Sequence, residues 1–490
     1  MPSNHELFQD ALRCQQSGDL LAAAENCRQI LSGDGRHADA WHLLGLVLQA
    51  QRRYSEAVAC HREVLSIRPN ASAAMGALAV SLQLLEQLDE AAAEYRRFLQ
   101  FEPDSADARL NLATVLHKQW HLAEAETEYR HYLRLRAPHV DVLVQMGQCL
   151  QAQRKLAEAA DCFRSAIALD PERDEPRFRL GAALLAAGDF DGGWPQYDWR
   201  LKRVARNFAL PQWDGRPLDG RRVLIYSEWG QGLGDTLQFV RYLPLVQARG
   251  GEVALAVQPQ LLPLLHTSGF QTAASVDRPP GDCHVQAALM SLPRILGTRL
   301  DCIPADVPYL SADDALESLW RQRLAAHDGV KIGIHWHGSQ VAIRDGRVIP
   351  LAEFAALARV PGTILVSLQK QEGVEQIAAV ADRFEVLDFG DQLDGEHGAL
   401  MDTAALMKTL DLVVTNDTVT AHVAGALSVP VWVALVFSAE WRWLADRDDS
   451  PWYPTMRLFR QARIGDWQSV LEPMAHQLAA LAAGPGDTRA

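Results

Sequence analysis

The sequence predicts an α-helical repeat array followed by two α/β units with parallel sheets. Three observations support this fold class. Small residues recur every 34 positions through the first two hundred residues, strand-like and helix-like patterns alternate after residue 222, and turn-forming residues separate the two regions. At 490 residues and 48% hydrophobic, the chain can fill two or three cores. We therefore expect a multidomain globular protein.

The repeat covers residues 1–200. Its defining small residues are Ala23, Ala57, Ala91, Ala125, Ala159 and Gly193. Trp41, Leu44 and Gly45 match the W-x-x-L-G pattern of tetratricopeptide repeats. Prolines end three of the units, at Pro69, Pro103 and Pro171. Because small residues let two helices cross closely and proline stops a helix, this region is predicted to be a tetratricopeptide superhelix. Its concave face would hold a peptide or partner protein, with self-association as the alternative.

The remaining chain alternates strand-like and helix-like patterns. Residues 201–222 are rich in turn formers and are predicted to be a linker. An N-terminal α/β half is predicted over 223–320, beginning with the strand-like run VLIYS. A second half is predicted over 328–470, with strands in VKIGIHWHG, TILVSLQ, FEVLDF, DLVVTN and VPVWVALV, and a C-terminal helix and tail over 471–490. Such alternation favours parallel sheets, whose ligands bind at the carboxyl ends of the strands, in a cleft between the halves.

Charge and composition exclude several classes of partner. The formal net charge is −14, with 61 acidic against 47 basic residues, which argues against nucleic acid or an anionic membrane as a partner. No apolar run reaches the roughly 18 residues of a membrane span, and the start lacks a secretory pattern. The seven cysteines are scattered without a C-x-x-C pair, so no metal site is expected. These features predict a cytoplasmic protein.

A glycine loop, GQGLGD, follows the first predicted strand. It lacks the G-x-G-x-x-G spacing of a dinucleotide fingerprint, and the second strand ends in Gln258 instead of an acidic residue. The loop does allow close backbone approach beside a helix N-terminus, with Asp235 on its rim. The alternative is that Asp235 only caps that helix.

The stretch TNDTVTAHVAGAL connects a predicted buried strand to a helix. Amide groups of the first helical turn are then free, and the positive end of the helix dipole points into the cleft, so a diphosphate fits there. Thr418 is a hydroxyl donor to such an anion, and His422 is one turn further on the same side. In the alternative interpretation, Asp417 is an N-cap and His422 is a core residue.

Further polar and aromatic residues follow the predicted strands of the second half. Arg344 and Arg347 are cations able to meet a diphosphate, and Gln369 and Lys370 close the next strand. Four tryptophans are candidates either for stacking on a base or sugar or for core packing: Trp336, Trp441, Trp443 and Trp452.

Four segments together resemble a known family: residues 232–245 (GLGDTLQFVRYLPL), 366–370 (VSLQK), 416–432 (NDTVTAHVAGALSVPVW) and 440–461 (EWRWLADRDDSPWYPTMRLFRQ). They resemble bacterial tetratricopeptide proteins fused to a heptosyltransferase-like (family 9-type) glycosyltransferase domain, which are distantly similar to the O-GlcNAc transferases. The resemblance covers nearly the whole chain. It implies a GT-B fold of two Rossmann-like halves, with the nucleotide-sugar on the second half, the acceptor on the first, and no obligatory metal or cofactor.

The resemblance also implies roles for individual residues. Asp235 falls on the aspartate proposed to deprotonate the acceptor, and His422 is the second residue expected to act in catalysis. The expected donor-diphosphate group comprises Gly232, Gly234, Arg347, Asn416, Asp417, Thr418 and His422. The nucleotide or sugar is expected to meet Trp336, Gln369 and Lys370.

The resulting expectation is a metal-independent, inverting glycosyltransferase. It would transfer a sugar from a nucleotide-sugar to a hydroxyl of a protein held by the repeats, such as a flagellin or adhesin. One alternative is a glycan- or lipopolysaccharide-assembly transferase whose repeats dock partners. Another is a non-catalytic repeat adaptor. The sequence leaves the donor base, the sugar and the acceptor residue open.

Overall fold

A computed structural model describes residues 2–206 and 208–482, apart from the side chain of Arg344. The chain divides after Glu172 into two compact units. The described part of the first unit consists of paired helices: α1 Asn4–Ser17, α2 Leu20–Gly33, α3 Ala38–Ala50, α4 Tyr54–Ile67, α5 Ser72–Leu84, α6 Leu88–Phe101, α7 Ala106–Lys118, α8 Leu122–Leu135, α9 Val140–Ala152 and α10 Leu156–Leu169. Each pair packs on the next, and the first helices of successive pairs touch one another.

The 34-residue register is confirmed by the packing of the first unit. The alanines that define it, at 23, 57, 91, 125 and 159, lie on the second helices of the pairs and are 0% exposed. A Cβ at Gly45 would lie 2.4 Å from the His61 ring, and one at Gly147 would lie 2.5 Å from the Phe163 ring. Close helix crossing therefore selects small residues at these positions.

A sixth helix pair, α11 Asp174–Ala186 and α12 Phe190–Tyr197, continues the pattern but belongs to the second unit. The repeat region was predicted to extend to residue 200, and helix pairs do continue to Tyr197, whereas the division into compact units falls after Glu172. Aromatic packing explains the difference, because the rings of Trp194 and Tyr197 lie 5.2 and 5.5 Å from that of Trp441. The indole of Trp194 also donates to the carbonyl of Thr298 at 3.0 Å.

Gly181→Ala is expected to lower the free energy of unfolding of the second unit by about 1–3 kcal/mol. An added Cβ would lie 2.3 Å from the backbone nitrogen of Tyr197, and a backbone atom cannot move aside as a side chain can. Gly33→Ala is the control, since no heavy atom lies within 4 Å of its added Cβ. Urea unfolding of the two variants and the parent checks this, and equal losses from both would contradict it.

The second unit contains a first parallel sheet in the order β3-β2-β1-β4. Its strands are β1 Arg222–Tyr226, β2 Glu252–Val257, β3 Ala273–Ser275 and β4 Val285–Ala288. Its helices are α13 Leu201–Val204, α14 Leu233–Phe239, α15 Leu243–Gln247, α16 Leu262–Thr267 and α17 Leu292–Ile295. The order reverses between β1 and β4.

A second parallel sheet has the order β6-β5-β7-β8-β9. Its strands are β5 Val330–His335, β6 Thr363–Ser367, β7 Leu412–Asn416, β8 Val431–Leu435 and β9 Met456–Arg460. Its helices are α18 Asp314–Leu324, α19 Gln340–Arg344, α20 Ala355–Ala358, α21 Gln376–Val380, α22 Met401–Met407, α23 Val419–Ala426 and α24 Gln468–Ala482. This is the doubly wound order 2-1-3-4-5, whose ligands bind where the order reverses, between β5 and β7.

Several boundaries differ from the sequence predictions. FEVLDF was predicted to be a strand, but it forms only a single bridge between Leu387 and Val366. β9 was not predicted. Helix α18, partly assigned to the first half, packs on α22 of the second sheet. The C-terminal helix begins at Gln468 and buries Leu471 and Met474 in the core of the second sheet. The tail predicted beyond residue 482 lies outside the described residues.

Within the described residues, no helix combines the length and apolar character needed to cross a bilayer.

Candidate functional site

The amide of Asn416, at the end of β7, fixes the loop that follows β5. Its Nδ2 donates to the carbonyls of Arg347 and His337 at 2.8 and 3.0 Å. Its Oδ1 therefore faces Nδ1 of His335, 3.1 Å away, which must carry the proton. Burial lowers the pKa of His335 to about 4, so this imidazole is neutral. Asn416 was predicted to bind the diphosphate, but in the structure its amide is buried and committed to positioning the loop.

Gln369, at the end of β6, holds the same loop from the other side. Its Oε1 accepts hydrogen bonds from the amides of Trp336 and His337 at 3.2 and 2.9 Å, and its Nε2 donates to the carbonyl of Glu372 at 2.9 Å. The side chain is buried. Gln369 was predicted to contact the nucleotide or sugar, but in the structure its side chain holds the loop that follows β5.

The start of α23 lacks a side-chain cap. Thr418 is the N-cap, with extended backbone angles (φ −144°, ψ 179°), and its side chain makes no capping hydrogen bond. The amides of Val419 and Thr420 have no acceptor within the described residues. The hydroxyl of Thr418 contacts Nδ1 of His335 at 3.3 Å and is half-buried. A helix start whose amides have no protein acceptor is the feature on which the predicted diphosphate contact depends, and that contact stays a prediction.

Arg347 lies beside this helix start. Its Nη1 donates to the carbonyl of Asp417 at 3.0 Å and lies 3.5 Å from the Asp417 carboxylate. Its Nε is buried and has no acceptor in the described part of the chain. Gly338 brings the loop close, since a Cβ there would lie 3.2 Å from Cγ2 of Thr418. The structure therefore places Arg347 beside the segment that contains Thr418, with its Nη2 paired to Asp345 and its Nε without an acceptor among the described residues.

His422 lies on α23, and its side chain is covered by α14. Only 2% of the residue is exposed. Its Nδ1 lies 2.9 Å from the hydroxyl of Tyr453, its ring stacks on Trp443, and a Cβ at Gly234 would lie 2.6 Å from its Cδ2. Burial, with Arg442 and Arg241 adding, lowers the pKa of His422 well below its ordinary value. The predicted diphosphate contact would require this neutral imidazole to leave the interior, so the alternative of a core residue fits the structure.

The glycine loop caps α14. The amide of Gly232 donates to Oδ2 of Asp235 at 3.0 Å, and Gly234 provides the close contact with His422. Asp235 therefore caps α14, as the alternative interpretation of the sequence stated. Its Oδ1 pairs with Nη2 of Arg442, a residue of the segment after β8.

Arg442 is the centre of a carboxylate cluster that joins the two sheets. Asp235 lies on α14, which follows β1 of the first sheet, and Asp417 and Glu440 lie in the segments that follow β7 and β8 of the second sheet. Burial lowers the pKa of Arg442, but these three carboxylates together raise it above its ordinary value, so the guanidinium stays charged. Its Nε lies 3.0 Å from Oε2 of Glu440, although the angle does not suit a hydrogen bond.

Glu440 was missed by the sequence analysis. Burial raises its pKa to about 7, Arg442 opposes the shift, and the neighbouring carboxylates Asp417 and Asp235 add to it. Yet 37% of its side-chain surface is exposed, so solvent reaches part of the carboxyl group. A signal was present, because Glu440 lies in the segment after the carboxyl end of β8, as Asp417 lies in the segment after β7. The same carboxyl-edge rule therefore points to both residues.

The predicted aromatic ligands lie in the core. Trp336 is 0% exposed, and its indole donates to the carbonyl of Gly373 at 3.1 Å, so no face is open for stacking. Trp441, Trp443 and Trp452 are buried too, which agrees with the core-packing alternative. The ammonium of Lys370 donates to the carbonyl of Leu393. Its predicted contact with the nucleotide or sugar stays a prediction.

Comparison with known families identifies the repeats. Residues 40–72, 77–139 and 140–173 match models described as tetratricopeptide repeat. The N-terminal part of the chain therefore consists of tetratricopeptide repeats, a type of array that commonly presents a surface to peptides or partner proteins.

A curated relative extends beyond the repeats. Protein FlbA of Caulobacter vibrioides is 28% identical over 334 residues, which cover 63% of this chain and 55% of the relative. The chain thus spans little more than half the length of the curated relative that it matches.

Solved structures that resemble the chain include MamA protein (14% identity, TM-score 0.33, 34% of this chain and 92% of that one). A second is YrrB, described as a TPR protein with an unusual peptide-binding site (19% identity, TM-score 0.35, covering 37% of this chain and 93% of that one). A third is pilF of Pseudomonas aeruginosa (18% identity, TM-score 0.34, covering 41% of this chain and 90% of that one).

Proposed function

We propose that the protein is a glycosyltransferase that moves a sugar from a nucleotide-sugar to a hydroxyl of a protein acceptor bound by the repeats. The observation that carries the proposal is the uncapped start of α23 at the switch point of the second sheet, with Arg347 beside it. Asp417 directly precedes Thr418, the N-cap of this helix, and acts electrostatically on Glu440 and Arg442. An anion-binding helix end and a cluster of proton-accepting groups therefore adjoin.

This combination suits transfer from a diphosphate leaving group. Negative charge grows on the diphosphate as the sugar–phosphate bond breaks, and helix-end amides with Arg347 stabilise charge at that position. A carboxylate takes the proton of the attacking hydroxyl at the same time. The protein groups supply both functions, and the donor enters as a co-substrate. The switch-point position and the polar loops of both sheets support this arrangement.

The acceptor is inferred from the repeats. Tetratricopeptide arrays commonly hold peptides or partner proteins, so a protein hydroxyl is the acceptor class that the chain favours. Flagellins and adhesins are candidate acceptors. The donor base and sugar are to be found by experiment.

A panel of ADP-, UDP-, GDP- and CMP-linked sugars tests the proposal by thermal shift. A donor that binds only the native state at about 100 times its Kd stabilises it by about 2.7 kcal/mol. The donor that binds is then incubated with candidate acceptors, and intact-mass spectrometry is expected to show a gain of one sugar or more on a protein. Transfer only to lipid or saccharide would instead indicate a glycan-assembly enzyme whose repeats dock partners. Absence of both binding and transfer would indicate a non-catalytic adaptor.

The role of the repeats is tested by a chain that begins at Arg173. A cut near residue 207 would remove Trp194, Tyr197 and Arg200, which pack within the second unit, so the boundary at Glu172 is the appropriate one. We expect the shortened chain to bind the donor like the parent but to lose transfer to the protein acceptor. Unchanged transfer would show that the repeats do not deliver the substrate. The melting curve of the shortened chain, with and without donor, is the control for folding.

A further inference from the structure

We propose that Glu440 is the group that takes the proton from the acceptor hydroxyl, and that Asp235 is a positioning residue that holds Arg442. This inference rests on the proposed function. It replaces the assignment of the base to Asp235 that the resemblance implied.

The hydrogen bonds of Asp235 argue against a role as base. One of its oxygens pairs with the guanidinium of Arg442, and the other accepts the amide of Gly232 at 3.0 Å. Only 20% of its side chain is exposed. A base needs an oxygen that is directed at the substrate, whereas each carboxylate oxygen of Asp235 is already held by a hydrogen bond, one from the start of α14 and one from Arg442.

The surroundings of Glu440 differ. Its Oε2 accepts the amide of Arg442 at 3.3 Å and so caps the short helix Trp441–Trp443. No hydrogen bond to its Oε1 comes from the residues that the structure describes. Of the three carboxylates around Arg442 it is the most exposed, at 37% against 20% for Asp235 and 6% for Asp417. One oxygen is thus fixed while the other is open to a substrate.

The charges around Glu440 suit proton transfer near neutral pH. The groups that face it are Arg442, Asp417, Asp235 and the buried Tyr197. Burial raises the pKa of Glu440 to about 7, which is close to the value at which a general base is most efficient. The charge of Arg442 keeps the pKa of Glu440 from rising further. Asp235 in turn holds the guanidinium of Arg442 in place.

The chemical step balances with these groups alone. The acceptor oxygen forms a bond to the anomeric carbon while the bond from that carbon to the diphosphate oxygen breaks. The proton of the hydroxyl passes to Glu440, and the nucleoside diphosphate leaves with the electron pair. Proton transfer to buffer then restores the carboxylate.

The test compares Glu440→Gln, Asp235→Asn and Glu472→Gln in the full chain. The measured quantity is kcat/KM as a function of pH, with the nucleotide-sugar that the thermal-shift panel identifies. Glu440→Gln keeps an oxygen to cap the helix, so we expect a folded protein whose rate falls about 100- to 10,000-fold. The parent is expected to lose activity as pH falls through about 7, and Glu440→Gln to lose that dependence. Glu472→Gln is the control, because Glu472 is an exposed residue of α24 that pairs with the exposed Arg359, and its kcat/KM should match that of the parent at every pH.

Asp235→Asn separates a base from a positioning residue. Its negative charge helps to raise the pKa of Glu440, so its removal is expected to move the activity loss to lower pH while transfer persists. Loss of transfer in Asp235→Asn, together with a rate within about threefold of the parent in Glu440→Gln, would overturn the proposal.

A readout independent of activity distinguishes this inference from the proposed function. Isotope-edited infrared spectra of protein labelled with carbon-13 at glutamate carboxyls should show one carboxyl that titrates near pH 7 and is absent in Glu440→Gln. If this titration appears but the parent neither binds donor nor transfers sugar, the proposed function fails and the base assignment falls with it, despite the correct titration. If the parent transfers sugar but the titration is missing, only this inference fails.

Discussion

Val419→Pro is expected to weaken binding of the nucleoside diphosphate and of its sugar conjugate about 10- to 100-fold while the fold stays intact. Val419 is the first residue of α23, and its amide has no acceptor within the described residues. Proline is tolerated at the first helical position because that amide has no partner in the helix. The preceding residue, Thr418, is extended, which is the conformation favoured before proline. The substitution therefore removes one donor and little else.

The size of the effect follows from the charge of the ligand. A hydrogen bond from an amide to a charged phosphate contributes about 1.5–3 kcal/mol, which corresponds to about 10- to 100-fold in Kd. Val419→Ala is the matched control, because it shortens the same side chain and retains the amide. Isothermal titration calorimetry on the two variants gives the comparison. Equal affinities would place the diphosphate away from the start of α23 and remove the main support for the proposed function.

The sequence predicted the parts of the fold that depend on local pattern. The 34-residue register is legible because helix crossing tolerates only small residues at positions such as Ala57 and Ala125, where both are fully buried. Strands such as β1, β5 and β7 were found because strands of a doubly covered parallel sheet are continuous apolar runs, whereas β9, whose apolar run is interrupted by the exposed Arg457 and ends at the half-buried Arg460, was not. The start of α23 was found because a strand running into a helix leaves amides free whatever the rest of the chain does.

The arrangement of side chains in the site depends on contacts that local pattern does not encode. Asp235 and Arg442 are separated by 207 positions, and their pairing depends on how the two sheets face each other. The direction of His422 is equally non-local, because the residue one turn after Thr418 faces a ligand or the interior according to whether α14 covers it. The contact with Gly234 settles that in favour of the interior. Buried amides such as Asn416 look like ligands in the sequence, and only the carbonyls around them show that they support a loop.

The same dependence on distant contacts makes Arg200 the residue whose loss should most destabilise the second unit. Its guanidinium donates to Glu228 at 2.6 and 2.9 Å, to Asp198 at 2.6 Å and to the hydroxyl of Ser291 at 3.1 Å. Arg200 and Glu228 are both buried, at 7% and 3% exposure. Arg200→Met fills similar space but leaves the Glu228 carboxylate unpaired. We expect the free energy of unfolding to fall by about 3–5 kcal/mol at pH 8.

The loss should be smaller at pH 5, and the sign follows from Glu228. Burial already raises its pKa, and Arg200 is the main opposing influence, so the variant raises it further. An acid whose pKa is higher in the folded state binds more protons there, and stability falls as the pH rises above the pKa of the unfolded state, about 4.3.

Tryptophan fluorescence during urea unfolding reports mainly on this unit, because 11 of the 13 tryptophans follow residue 172. Arg359→Met, which breaks an exposed pair with Glu472, should cost less than about 1 kcal/mol at either pH. A loss from Arg200→Met that matched the loss from this control, or that was larger at pH 5 than at pH 8, would show that the buried pair does not hold the turn after α12 to the loop after β1.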